Sequence, residues 1–129
     1  MKQEELMIGD WVLRNGEPYQ IRQLGIFGVN RDGEDYPAVC VGKPKGIGLI
    51  IERNEIVPIP LTPEILKKNG FEECRIEEIE YYGWRLNENF SLERNAVDTL
   101  IWNDDVSIHS VHQLQHALRL CGINKEIKL

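Results

Sequence analysis

The chain has 129 residues, with 15 Lys and Arg against 21 Asp and Glu, a formal charge of −6 and 42% hydrophobic residues. At this length one domain, or two small subdomains sharing a core, is expected, and folding buries enough surface to need neither disulfides nor a structural metal. The composition is too apolar for disorder, and its acidic balance argues against a general nucleic-acid binder, which needs a basic footprint to displace counterions.

The opening MKQEELMIGDWV mixes charges of both signs and lacks the apolar run of a secretory signal. No stretch approaches the ~18 apolar residues of a membrane span. A cytoplasmic protein with no membrane partner is therefore expected. Cys40, Cys74 and Cys121 are odd in number and widely spaced, which fits neither a disulfide framework nor a CxxC metal site. They read as reduced thiols, two of them buried as small hydrophobes.

The first half reads as strands. Trp11–Arg14 runs into Asn15-Gly16, a pair that tolerates the positive φ of a type I′ hairpin turn. Tyr19 to Ile26 returns with alternating apolar positions, and Asn30-Arg31-Asp32-Gly33 forms a second turn. Tyr36 to Val41 is a short strand, Gly42 to Gly48 a loop, and Leu49 to Ile59 a last strand, ended by Pro58 and Pro60. Short strands with tight turns predict a small barrel or curled sheet over residues 1–61.

Thr62-Pro63-Glu64 then supplies an N-cap, a first-turn proline and an acid near the helix dipole's positive end, and Asn69-Gly70 closes one or two turns of helix. An acidic stretch, Glu72 to Glu80, reads as a solvated strand or loop. Tyr82–Leu86, Phe90–Arg94, Thr99–Trp102 and Val106–His109 follow as a four-stranded antiparallel meander, with turns at Asn87-Glu88-Asn89 and Asn103-Asp104-Asp105. Ser110-x-x-Gln113 is a capping box and Gly122 a C′ glycine. At 100° per residue Val111, Leu114, Ala117, Leu118 and Cys121 share one arc, with His112, Gln115, His116 and Arg119 opposite. The fold class is α+β, divided at about residues 61 and 62 or built as one compact unit.

Motifs for chemistry are few. His109, His112 and His116 include an i, i+4 pair, but the Glu of HExxH is replaced by Gln113, and Arg119 on the same face opposes a bound cation. No metal and no cofactor are expected. Cys121 projects away from both helical histidines, which removes a local Cys–His nucleophile. The Gly42–Gly48 loop lacks the GK[ST] ending of a phosphate cradle and leaves Lys43 and Lys45 as a basic tip. The acidic run lacks calcium-loop spacing, and Trp11, Trp84 and Trp102 fall in strands as core residues.

Three stretches carry a resemblance: Ile8-Gly9-Asp10-Trp11-Val12, the segment from Ile56 through Pro58-Ile59-Pro60-Leu61-Thr62 to Asn69-Gly70-Phe71, and Val111-His112-Gln113-Leu114-Gln115 with Leu118. Together they resemble a family of small uncharacterised proteins from gut bacteria and their phages or mobile elements. The resemblance implies cytoplasmic expression during phage or element growth, and transfers no activity or catalytic residue. The GDWV opening and its hairpin are also similar to the first strands of SH3-like barrels of the KOW type.

The leading expectation is a non-catalytic binding or adaptor protein whose partner is another protein. Its candidate surfaces are the polar helix face (His112, Gln115, His116 and Arg119) and the loops of the first half. The alternative is a nucleic-acid-associated accessory protein using Lys43, Lys45 and Arg53; a small hydrolase stands third. Residues 1–61 hold 7 basic and 9 acidic side chains and residues 62–129 hold 8 and 12, so the first half is nearly balanced. An anionic partner is less firmly excluded there than the whole-chain charge suggests.

Overall fold

The computed structural model describes residues 5–76, 81–94, 100–103 and 106–129. The architecture is α+β and mostly antiparallel, and the chain divides into two compact units, Met1–Ile59 and Pro60–Leu129. Among the described residues no helix is long and apolar enough to cross a membrane.

The first unit is one five-stranded sheet: β1 (Trp11–Arg14), β2 (Glu17–Val29), β3 (Asp35–Gly42), β4 (Leu49–Glu52) and β5 (Val57–Pro58), in the order β4-β3-β2-β1-β5. Asn15 and Gly16 turn β1 into β2 with φ of 51° and 78°, the conformation their short side chains permit. β2 is longer than its apolar alternation suggested. Register shifts between Ile21 and Gln23 and between Gln23 and Ile26, with Gly25 at φ 71°, let it bend and continue to Val29. Beyond the bend β2 and β3 form a two-stranded arm, closed by Asn30, whose Oδ1 accepts from the Asp32 and Glu34 amides at 3.0 and 2.9 Å.

The expected single strand Leu49–Ile59 is corrected by the structure. Polar Arg53-Asn54-Glu55 forms a 3-10 turn that breaks it in two. β4 stays beside β3, while β5 crosses to the opposite edge and pairs with β1. Arg14 Nε lies 3.5 Å from Glu55 Oε2, tying β1 to this turn. Leu6, Val12, Ile21, Val39, Val41, Ile51 and Ile56 bury the apolar face, with Tyr19 and Leu24 packed against them. Burying an aliphatic side chain contributes about 1.5–3 kcal/mol, so this face is the main source of the unit's cohesion.

The second unit begins with α1 (Pro63–Lys68). Thr62 Oγ1 accepts from the Ile65 amide at 3.3 Å, and Gly70 at φ 86° ends the helix. Phe71 N donates to Leu66 O and Gly70 N to Lys67 O, the paired bonds of a Schellman cap. The sheet that follows has five strands, one more than the meander expected: β6 (Glu72–Ile76), β7 (Tyr81–Asn87), β8 (Phe90–Arg94), β9 (Leu100–Trp102) and β10 (Val106–Ile108), paired in sequence order. The first part of the acidic run is thus strand β6. Its remainder, Glu77 to Glu80, lies outside the described residues, as do Thr99 and the Asp104-Asp105 part of the last turn.

α2 (Val111–Leu120) closes the unit. Ser110 Oγ accepts from the Gln113 amide and Gln113 Oε1 accepts from the Ser110 amide at 3.2 Å, the reciprocal bonds of a capping box. Losing this cap should cost about 1 kcal/mol. Ser110→Ala is therefore expected to lower the urea midpoint with an unchanged m-value; an unchanged midpoint would show that the cap contributes nothing. Gly122, at φ 70°, donates to Arg119 O, and Ile123 donates to Leu118 O. Leu66, Phe71, Trp84, Phe90, Leu92, Ile108, Val111, Leu114, Leu118 and Ile127 are buried in this unit.

Candidate functional site

The helix face expected to be a polar surface is only partly one. His112 and Gln115 are buried, at 4% and 7% exposure, His116 is half-buried, and Arg119 alone is exposed. The expectation assumed burial on one side of α2. Instead its first two turns are enclosed on both flanks, and the buried arc widens to roughly 220° at 100° per residue. His112 is accommodated because Ser110 Oγ lies 3.1 Å from its Nδ1 and the His116 ring packs edge-on at 5.6 Å. Ser110 is itself buried, so its hydroxyl serves the helix start and is closed to a substrate. Among the described residues no group of three His, Cys, Asp or Glu is arranged to hold a metal. The cysteines also depart from expectation: Cys40 and Cys74 are half-buried and Cys121, at the C-cap, is exposed.

The three basic residues expected to act together, Lys43, Lys45 and Arg53, do not form one patch. Lys43 Nζ lies 3.3 Å from Glu17 Oε2 and 5.0 Å from the centroid of the Tyr19 ring, so its charge is partly answered within the unit. The Lys43 carbonyl accepts from the Arg22 guanidinium, which fixes the start of the loop. Lys45 is exposed further along that loop, and Arg53 stands on the 3-10 turn.

Arg53 lines a shallow cavity of about 340 Å³ with Tyr36, Pro37, Glu52 and Asn54. The cavity sits at one end of β4, and β4 is the more telling feature. Sheet edges offer unpaired backbone groups, and proteins blunt them with short strands, proline or charge. β5 is two residues ending in Pro58, β10 is three residues, and β6 carries exposed Glu72 and Glu73. β4 differs. Among the described residues it pairs only with β3, and it exposes Leu49 and Ile50, the latter by 61%, just after Ile47 at 91%. Only Ile51, opposite Val39, turns into the core. Nearby on the arm, Phe27 is 70% exposed opposite Pro37.

The second unit holds a larger cleft of about 390 Å³. Leu66 of α1, Trp84 of β7 and Ile108 of β10 form its apolar floor; Lys67, Glu73, Arg94 and His109 stand around it. Strand register explains the placement. Glu73 pairs with Trp84 and Trp84 with Leu92, so all three share one sheet face; Arg94, two residues beyond Leu92, shares it and pairs with Leu100. Two charged side chains thus project from the face that also carries buried Trp84 and Leu92. Sequence reasoning missed this cleft. The available signal was Phe90-Ser-Leu92-Glu-Arg94, where a charge occupies the third position in phase with two apolar residues. Compared with protein-family models, curated proteins and solved structures, the chain matches none.

Proposed function

We propose that the chain is a non-catalytic binding module that captures an extended segment of a protein partner along β4. The observation that carries this reading is the edge itself: among the described residues β4 pairs only with β3, and exposed Ile47, Leu49 and Ile50 lie along it ahead of Glu52, where β5 is two residues ending in Pro58, β10 is three residues and β6 carries two exposed glutamates. An added strand gains main-chain hydrogen bonds from the edge and selectivity from alternate side-chain contacts. The cavity by Tyr36 and Arg53 lies where one end of that segment would pass. An SH3-like curled sheet is the fold reading we attach to the first unit, supported by bent β2 and by the return of β5 to β1. The setting we propose is cytoplasmic, in a phage or mobile element, on the strength of the resembling segments. The pairing of Lys43 with Glu17 and the separation of Arg53 from the loop favour a protein over nucleic acid.

The test is selection of binders from a random peptide display library, followed by amide-shift mapping. Selected peptides should shift the amides of Leu49–Glu52 and show backbone contacts to β4. Ile50→Lys, on an exposed position, should weaken them at least tenfold, because charge at an edge opposes strand addition. Peptides that map elsewhere, or bind the variant equally, would overturn the reading. Salt-sensitive binding of single-stranded DNA in a mobility assay at low salt, with no peptide at β4, would replace it with the nucleic-acid alternative.

A further inference from the structure

We infer that the cleft of the second unit binds a small organic anion carrying a flat apolar body. This inference is independent of strand capture at β4, which lies in the other unit. The volume, about 390 Å³, falls in the lower part of the range of small-molecule sites, which combine an apolar floor with a few placed polar groups. Leu66, Trp84 and Ile108 supply the floor, each less than a tenth exposed.

Charge selects the anion. Residues 62–129 carry 8 basic and 12 acidic side chains, so the surroundings repel anions. Among the described residues that line it, the cleft reverses that sign: Lys67 and Arg94 stand around it with one carboxylate, Glu73. Arg94 projects from the sheet face that buries Leu92, where a guanidinium gives up part of its hydration. A planar guanidinium forks onto a carboxylate or phosphate, and the ammonium of Lys67 adds a second, more solvated charge. Glu73, beside Trp84 on the same face, opposes a second negative charge and favours a ligand of low charge. The aromatic body belongs over the Trp84 side of the floor.

Carboxylate and phosphate share this chemistry, so 2-naphthoate and adenosine monophosphate are titrated in parallel into the full chain, read by amide and indole shifts. One of them should saturate the Trp84, Lys67 and Arg94 signals, which identifies the anionic group. Neutral 2-naphthamide should bind about tenfold more weakly than the naphthoate, the ratio expected for losing charge-assisted hydrogen bonds. Arg94→Gln should weaken the preferred anion about tenfold and Lys67→Gln roughly threefold, the exposed charge being more screened. Glu73→Gln should tighten it, a change of opposite sign that loss of packing does not produce. If Arg94→Gln fails to fold, the exposed Lys67 and Glu73 positions carry the test. No saturating shift with either anion, equal affinity for the naphthamide, or a Glu73 variant that binds no tighter would overturn the inference.

Discussion

Phe90→Ala is expected to lower the stability of the second unit by about 4 kcal/mol, at the upper end of single-residue effects. Phe90 is 1% exposed, and its ring meets Phe71 edge-on and Trp102 nearly parallel, each at a centroid distance of 6.1 Å. The ring therefore connects the segment just after α1 to β8 and β9. Removing it forfeits the transfer of a large apolar surface and leaves a cavity between two other aromatics that the strands hold apart. Phe90→Leu keeps most of the volume and should cost about 1–2 kcal/mol, since the edge-to-face and stacked contacts are lost while burial is retained. Urea titration followed by tryptophan fluorescence measures both. A loss below about 1 kcal/mol in the alanine variant would mean that the site collapses freely and that the cluster does not hold the unit together.

The elements that could be read from the sequence are those whose cause is local. Asn15-Gly16, Thr62-Pro63, Asn69-Gly70 and Ser110-x-x-Gln113 each fix a backbone conformation with their own side chains or lack of one, and each stands where the pattern placed it. What escaped was set by pairing at a distance. Nothing within Leu49 to Ile59 announces that its second part leaves β3 for β1, because β1 becomes available only once the sheet exists. His112 and Gln115 misled for a related reason: a helical wheel reports polarity, whereas their burial follows from a second packed flank and from Ser110 and His116 beside His112. The candidate sites follow the same division. The basic residues Lys43, Lys45 and Arg53 were visible as letters, but Glu17 and Tyr19 decide what Lys43 does. The cleft joins Leu66 of α1 to residues of β6, β7, β8 and β10, and no spacing in the chain encodes such a meeting. The β4 edge was invisible because a short strand with three apolar residues in a row, Leu49 to Ile51, looks the same at an edge or in the middle of a sheet.

Asn69→Ala provides the sharpest test of how tertiary structure reuses a local signal. Asn69 reads as a helix stop, and it is the C-cap of α1, yet the residue is buried, at 3% exposure, and does more than terminate. Nδ2 donates to Ile65 O and to Lys128 O, and Oδ1 accepts from the Lys128 amide, all at 2.7 Å. The primary amide thus pairs with both backbone groups of Lys128, as a neighbouring strand would. It holds residues 123–129 against α1, where Ile127 is 1% exposed and Lys68 Nζ donates to Leu129 O. Alanine leaves both Lys128 backbone groups without their partner in a partly enclosed place, at about 1–3 kcal/mol for an unsatisfied group. Water reaching the freed segment recovers part of this, so the net loss expected for the two groups together is about 2–3 kcal/mol. Asn69→Asp distinguishes hydrogen bonding from shape. It keeps the acceptor for the Lys128 amide but presents a carboxylate to two carbonyl oxygens, and it should be at least as damaging as alanine. Hydrogen exchange separates the local from the global effect: the Lys128 amide should lose protection in both variants before the amides of β7 and β8 do. Retained protection at Lys128 with a loss under about 0.5 kcal/mol would show that Ile127 packing alone secures the segment, and that Asn69 is no more than the cap its sequence position announces.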